Sequence, residues 1–414
     1  MHDREPASSA VRASGEREHR AWQAVASSLE SLRDLVDLFV ERRVERTWRL
    51  EDGRVLGVET SLGEGAACRW DDGRLTSCDG VERSRLAALL GLVTRQLPHV
   101  PLPELPALPD LDALRLPASL GLATVRWLWR ASGVAGPGVG SAIERPVLVD
   151  LTWTDGRRSV RPWPLDQAWP PPARAPVKLG SVSAGPMRVL LSPQAAATLF
   201  HELLGHPLEG DILLAGASPW RGRQGERILS LPLDLLDDPT RVDLPGGFGA
   251  DDEGTPAAPR HLVREGVLTG ALATRAQAAS LGIEPGNARR ATVHTPPRPR
   301  VSNLLAHCPG ALAEPPRNEA EAEVEAVSAG TIEPRAGLVV LQVRLAHTLR
   351  HGRRMRGLAP FTLMGRLGAV AGGLLAAAEP AGISAEPGWC GKEGEVVPTG
   401  SRSPWLLVEG LEAR

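Results

Sequence analysis

The segment His201-Glu202-Leu203-Leu204-Gly205-His206 sets two imidazoles beside a carboxylate, and Cys390, far downstream in Gly388-Trp389-Cys390-Gly391-Lys392-Glu393-Gly394, can add a thiolate. Two His and one Cys suit a zinc ion that keeps one coordination position open. Glu202 follows a candidate ligand directly, so it is placed to take a proton from water at that position. Metal-assisted hydrolysis is the chemistry these residue types support best.

The flanking residues say how such a site is positioned. Met187 to Leu191 reads as a short buried strand. Ser192 is a good N-cap and Pro193 suits the first helical position. Ala195, Ala196, Ala197, Leu199 and Phe200 then continue an apolar helix with no polar face, which implies burial. A buried helix carrying His201 and Glu202 must supply partners for them. The spacing differs from the commoner H-E-x-x-H. At about 100° per residue, positions five apart point about 140° away from each other on an α-helix. Gly205 and Pro207 offer a way out, and the expectation is a helix ending at Gly205, with His206 swinging back toward the metal from the next turn.

His201 to Asp211 (HELLGHPLEGD) closely resembles the metal motif of the TldD/PmbA family, the modulators of DNA gyrase. Asp251 to Gly254, Leu262 to Gly270, Gly286 to Arg290, Pro299-Arg300 and Ser302-Asn303 recur in that family's order. So do Cys390 to Gly394, Pro398 and Leu406 to Leu411, and Leu38 to Val58 resembles its N-terminal hairpin. The resemblance covers most of the chain from about Leu35 onward. It implies a TldD-type zinc metalloprotease subunit, with His201, His206 and Cys390 on zinc and Glu202 as catalytic base. It also implies an unfolded or flexible peptide as substrate and a dimer, either with a PmbA/TldE-type subunit lacking the motif or with a second copy. The chain departs from the pattern at Pro207, in the shortened glycine stretches Gly133 to Gly140 and Ser328 to Glu333, and in a compressed section from Pro98 to Pro176. A second reading stays open: a catalytically weak structural or partner subunit, whose metal site holds the fold.

Composition narrows the class. A length of 414 residues allows two or three domains with ample core. A net charge of −2 leaves no basic footprint for nucleic acid. The longest apolar run, Leu367 to Ala378, is too short and too glycine-rich to span a bilayer. The start, Met1 to Glu5, has no apolar signal core, so a cytoplasmic location is expected. Tyr is absent and Phe rare, with Trp, Arg, Ala, Gly and Pro plentiful, a pattern of base composition rather than of function. Cys68, Cys78, Cys308 and Cys390 are too few for a disulfide framework. Cys68 and Cys78 flank a turn at Asp71-Asp72-Gly73, and two free thiols are the preferred reading over a cross-strand bridge.

The expected fold class is α+β: an N-terminal α/β domain with hairpins and helices, followed by a β-rich C-terminal metalloprotease domain. Residues 1–19 read as a disordered tail, 20–178 as the N-terminal domain with Pro-rich connectors, and 179–414 as the metal domain. Trp22, Val25, Leu29 and Leu32 share a helical face, as do Leu86, Leu89, Leu90 and Val93. Leu35 to Leu50 and Val55 to Thr60 read as strands joined at Glu51-Asp52-Gly53. Leu111 to Trp129 and Asn318 to Ala329 read as helices. Val147 to Trp153 and Arg157 to Trp163 read as a hairpin. The prolines from Pro98 to Pro109 form a rigid connector, and those from Pro162 to Pro176 a domain boundary.

Further polar residues are candidates of lower weight. Glu209 and Asp211 either orient His206 or His201 from behind or cap the following turn. Arg289, Arg290 and His294 are candidates to line the peptide cleft and donate to a developing oxyanion. His347 and His351 share a strand face, and surface or hairpin histidines are the preferred reading over a metal pair.

Overall fold

The structure is a computed structural model describing residues 20–52, 54–92, 97–114, 116, 122–136, 139–143, 145–153, 158–163, 179–379 and 386–414. The tail over 1–19, the turn residues Gly53, Asp155 and Gly156, Val93, and most of the proline cluster from Pro162 to Pro176 lie outside these residues. The observed class is α+β.

The N-terminal part is a seven-stranded antiparallel sheet centred on the paired long strands Leu35–Glu51 and Arg54–Trp70. Leu122–Gly136 pairs with the first of these along most of its length. Side chains alternate between faces, and the two faces do different work. Leu38 and Val40, with Ala66 and Cys68 opposite, pack under a helix over residues 20–29 and the helix Arg83–Leu89. Trp22, Val25 and Leu29 are fully buried there, and Leu32 packs at the edge. Phe39 and Ala67 point the other way, onto Phe248 and Val293 of the C-terminal part. Asp37 and Glu41 share that second face and form a buried charge seam. Arg69 bridges Asp37 and Glu253, Arg130 meets Glu41, and Arg145 meets Asp252. Charges buried this deeply survive only when paired.

The C-terminal part holds an eight-stranded and a six-stranded sheet. One apolar core joins both with the helix Pro193–Phe200, through Val189 and Leu191, Leu199 and Phe200, Leu235 and Leu304, Val324 and Leu341. The hairpin expected near Leu262 is present as Arg260–Arg264 and Val267–Leu268, with Glu265 and Gly266 at positive φ in its turn. The Val147–Trp153 hairpin also forms, with Arg158–Trp163.

Two expected helices are strands. Among the described residues, Leu111 to Trp129 contains a short 3-10 turn, Asp112–Leu114, and then the strand Leu122–Gly136. Ala123, Val125 and Trp127 are buried and alternate with partly exposed neighbours, a period of two that the aromatic and β-branched content favours. Asn318 to Ala329 forms a 3-10 turn, Arg317–Glu319, and then the strand Ala322–Glu333. Its alanines and glutamates have high helix propensity, yet they also alternate. Ala322 and Val324 enter the core, and pairing with Leu338–Arg350 decides the outcome. Cys68, Cys78, Cys308 and Cys390 are all free. Among the described residues no helix is long and apolar enough to cross a membrane.

Candidate metal centre

Residues Gly185–Leu191 form the expected strand, and Ser192 caps the following helix, its hydroxyl accepting from the Ala195 N–H and donating to the Glu325 carbonyl at 2.7 Å. Ala195, Ala196, Ala197, Leu199 and Phe200 are all buried. Gln194 fastens the helix to the strand Ala322–Glu333 by bonding both the carbonyl and the N–H of Val327.

The helix does not end at Gly205. It widens into a π-turn over His201–Gly205 and continues as a 3-10 turn over His206–Leu208. The His206 N–H donates to the His201 carbonyl five residues back, and His206 keeps right-handed helical angles (φ −60°, ψ −45°) in spite of Pro207. An i→i−5 bond stacks residues five apart, so both imidazoles reach one face without a break in the helix. Pro207 has no N–H to offer the Leu203 carbonyl, and the Trp220 indole N–H fills that place at 2.9 Å. Gly205 is needed because a Cβ there would meet Val301 at 2.9 Å.

Cys390 arrives from the hairpin of Glu386–Lys392 and Glu395–Arg402. His201, His206 and Cys390 are buried, with one ligand atom of each within 4.8 Å of the others. The Cys390 Sγ lies 3.7 Å from His206 Nε2, against about 3.5 Å between N and S ligands of tetrahedral zinc. The buried Nε2 of His201 has no hydrogen-bond partner. An orphaned imidazole nitrogen facing a thiol and a second imidazole is a donor set that fits a cation. Among the described residues no other His, Cys, Asp and Glu group gathers in this way. His347 sits in the strand Leu338–Arg350 near Glu325, and His351 is a positive-φ turn residue.

The surroundings orient the candidate ligands and set their charge. Glu209 takes the Nδ1 side of His206 at 3.0 Å, which leaves Nε2 toward Cys390. Lys392 bonds Glu209 at 2.8 Å and Asp211 at 2.6 Å, tying the helix to the Cys390 strand. Thus Glu209 backs His206, while Asp211 acts one step further out. The Arg300 guanidinium donates from Nε to the Cys390 sulfur at 3.2 Å and from Nη2 to the Cys390 carbonyl. Burial pushes the Cys390 thiol up, but His206 and His201 outweigh it and hold the thiol well below its ordinary range. For His206 burial favours the neutral ring, and Cys390 and Glu209 overcome this to raise its pKa. Glu202 is raised, chiefly by burial, against the pull of both histidines. It belongs to the metal helix without being one of the gathered donors, and Gly330 of the strand Ala322–Glu333 lies against its side chain.

The remaining candidates have other partners. Arg289 donates to the carbonyls of Val301 and Pro398. Arg290 meets Asp37 and the Thr295 carbonyl. His294 is half-exposed and faces Ser77 and Asp79 of the N-terminal sheet. Sequence reasoning gave no role to Arg300, Lys392 or Gly330. Lys392 had a signal, since it stands two residues after Cys390 on one strand face; Arg300 and Gly330 meet the site only through tertiary packing.

Three buried donors on a helix and a hairpin, with a carboxylate beside them, define a candidate metal centre of the open, hydrolytic type. The sequence family described as PmbA/TldA metallopeptidase C-terminal domain matches residues 184–413. The chain belongs to the PmbA/TldD family. It is 29% identical over 282 residues to a metalloprotease of Methanothermobacter thermautotrophicus, covering 66% of this chain and 57% of that one. It is 28% identical over 243 residues to a metalloprotease TldD homolog of Haemophilus influenzae, covering 58% and 50%. The match thus spans about half the length of these relatives. In fold it is similar to TldE from Thermococcus kodakarensis, with a TM-score of 0.65 at 16% identity over 96% of this chain and 99% of that chain. A putative modulator of a DNA gyrase from Thermotoga maritima gives a TM-score of 0.65 at 14% identity, over 96% of this chain and 100% of that chain.

Proposed function

We propose that this chain is a zinc metallopeptidase of TldD type that hydrolyses unfolded or flexible peptides, with His201, His206 and Cys390 as zinc ligands and Glu202 as general base. The observation that carries this reading is Glu202: a buried carboxylate with a raised pKa, next to three donors and not one of them. A purely structural site has no need of it. Zinc held by three protein ligands keeps a position for water, lowers the pKa of that water to about 7 and polarises a carbonyl.

The chain's own residues do the rest. Glu202, in its ionised form, accepts a proton at its carboxylate as water attacks, and returns it to the leaving amine. Glu209 fixes the His206 ring, and Lys392 keeps Glu209 in place. Arg300 and the two histidines keep Cys390 a thiolate. The strand Ala322–Glu333 pairs with Gly185–Leu191 only over Ala322 to Val324 and then runs on past Glu202. An extended peptide that adds to this edge is held by its backbone, with little selection for sequence. A folded substrate does not present such a strand without local unfolding. The partner is a TldE-type subunit or a second copy, and the location is cytoplasmic.

The test is Glu202→Gln, assayed with zinc content, on denatured and folded protein substrates, alone and with a TldE-type subunit. Zinc stays near one per chain and cleavage of denatured substrate falls about 10²–10⁴-fold. Unchanged cleavage would remove Glu202 as the base, and a zinc-loaded wild-type chain that cleaves nothing, alone or with the TldE-type subunit, would leave the trio as the structural centre of a partner subunit.

A further inference from the structure

Between the N-terminal sheet and the Cys390 hairpin lies a cavity of about 260 Å³. Its walls are of two kinds. Leu128, Leu148 and Trp389 are apolar, while Arg130, Arg145 and Arg289 supply guanidinium groups. Arg130 and Arg145 have carboxylate partners in Glu41 and Asp252. Arg289 has none within ion-pair distance among the described residues. It is 2% exposed, its face lies on Phe248, and its two Nη groups reach only the carbonyls of Val301 and Pro398. Its Nε–H is buried without an acceptor, as is one Nη of Arg130. Glu395, the acidic residue on the wall, has its Oε2 3.8 Å from the Arg298 Nε, and that buried oxygen has no hydrogen-bond partner.

A buried cation without a counter-charge is costly, and so is a buried donor without an acceptor. One negatively charged oxygen ligand relieves both. Burial, then Arg145 and Arg300, push Arg289 down to about 9, although Cys390 and Asp252 pull the other way. The apolar walls add a second requirement, because inorganic anions gain nothing from leucine and indole surfaces. The volume falls below that of pockets for drug-sized ligands and suits a body of one amino-acid side chain.

We propose that this cavity binds a carboxylate carried on a small apolar body, such as an acylated apolar amino acid or the end of a peptide, with Arg289 as its anchor. The site is distinct from the metal centre. Trp389 and Cys390 are neighbours on one strand, so their side chains leave opposite faces, and the cavity lies behind the hairpin that carries the thiol.

Thermal unfolding of the full chain, with calorimetric titration, tests this with N-acetyl-leucine, N-acetyl-leucinamide, sodium phosphate and an acetylated pentapeptide ending in leucine. The expected result is a rise in Tm of about 1–3 °C at 10 mM acid, with no rise for the amide or for phosphate. The rise disappears in Arg289→Gln. Ala291→Leu, which fills the cavity from its wall and leaves the guanidinium alone, removes it as well and guards against misfolding of the first variant. A rise with the pentapeptide assigns the site to peptide ends; a rise with N-acetyl-leucine alone assigns it to free acids. No rise with either acid, an equal rise with amide or phosphate, or a rise retained in both variants overturns the proposal.

Discussion

Gly330 offers the sharpest test of how Glu202 is positioned. A Cβ on Gly330 would stand 2.5 Å from the Glu202 Cγ, 2.8 Å from the Thr198 Cγ2 and 3.0 Å from the Glu202 Oε1. Ordinary contact begins at 3.4 Å, so Gly330→Ala must drive the Glu202 side chain back by about 1 Å, or the strand must retreat by as much. Thr198 blocks the neighbouring direction, and Gln194 fixes the strand to the helix at Val327, so the carboxylate moves most easily. Overpacking of this kind costs about 1–3 kcal/mol of stability. A misplacement of about 1 Å in a reacting group costs about 10²-fold in rate. The proposed zinc ligands are not among the three atoms nearest that Cβ and should be spared. The measurements are kcat/KM on a denatured substrate, zinc per chain by elemental analysis and Tm by circular dichroism. Cleavage should fall about 10²-fold with zinc still near one per chain and Tm lowered by a few degrees. Wild-type cleavage by a folded Gly330→Ala protein would show that this strand does not set the position of Glu202. Loss of zinc would show that the strand supports the ligands instead.

The other expectations concern the ligands and the turn that presents them. Cys390→Ala should lose most of its zinc in elemental analysis after dialysis, and unchanged stoichiometry and affinity would remove Cys390 from the centre. Lys392→Met should weaken zinc binding about 10–100-fold in competition with a chromophoric chelator, since Glu209 and Asp211 lose their shared cation; an unchanged affinity would mean that Glu209 holds His206 unaided. Trp220→Phe leaves the Leu203 carbonyl without a donor and should cost about 1–3 kcal/mol in denaturant unfolding, and a neutral effect would mean that the π-turn does not depend on that bond.

The candidate donors on the helix were easy to single out because their chemistry is local: His201, Glu202 and His206 stand in one short run, and Ser192 and Pro193 announce the helix before them. The supports were not, because they come from elsewhere in the chain. Arg300 meets Cys390 from ninety residues away in sequence, and Gly330 meets Glu202 through a strand whose alanines and glutamates favour a helix in isolation. The same limit explains Leu122–Gly136, where pairing with Leu35–Glu51 determines the conformation. The end of the helix was misjudged for a different reason. Gly205 and Pro207 are ordinary helix-ending residues, and only a wider turn, with Trp220 brought in to replace the missing N–H, lets the helix run through them.

That turn can also be viewed as a matter of chain length. Deleting Leu204 would leave His-Glu-Leu-Gly-His, two imidazoles four apart, which share a face on a regular α-helix. In a regular helix of that shortened run the ring of Pro207 would fall against the carbonyl of Glu202, the fourth residue before it. The shorter spacing and the proline therefore exclude one another. The proline thus requires the additional residue, while the additional residue does not require the proline.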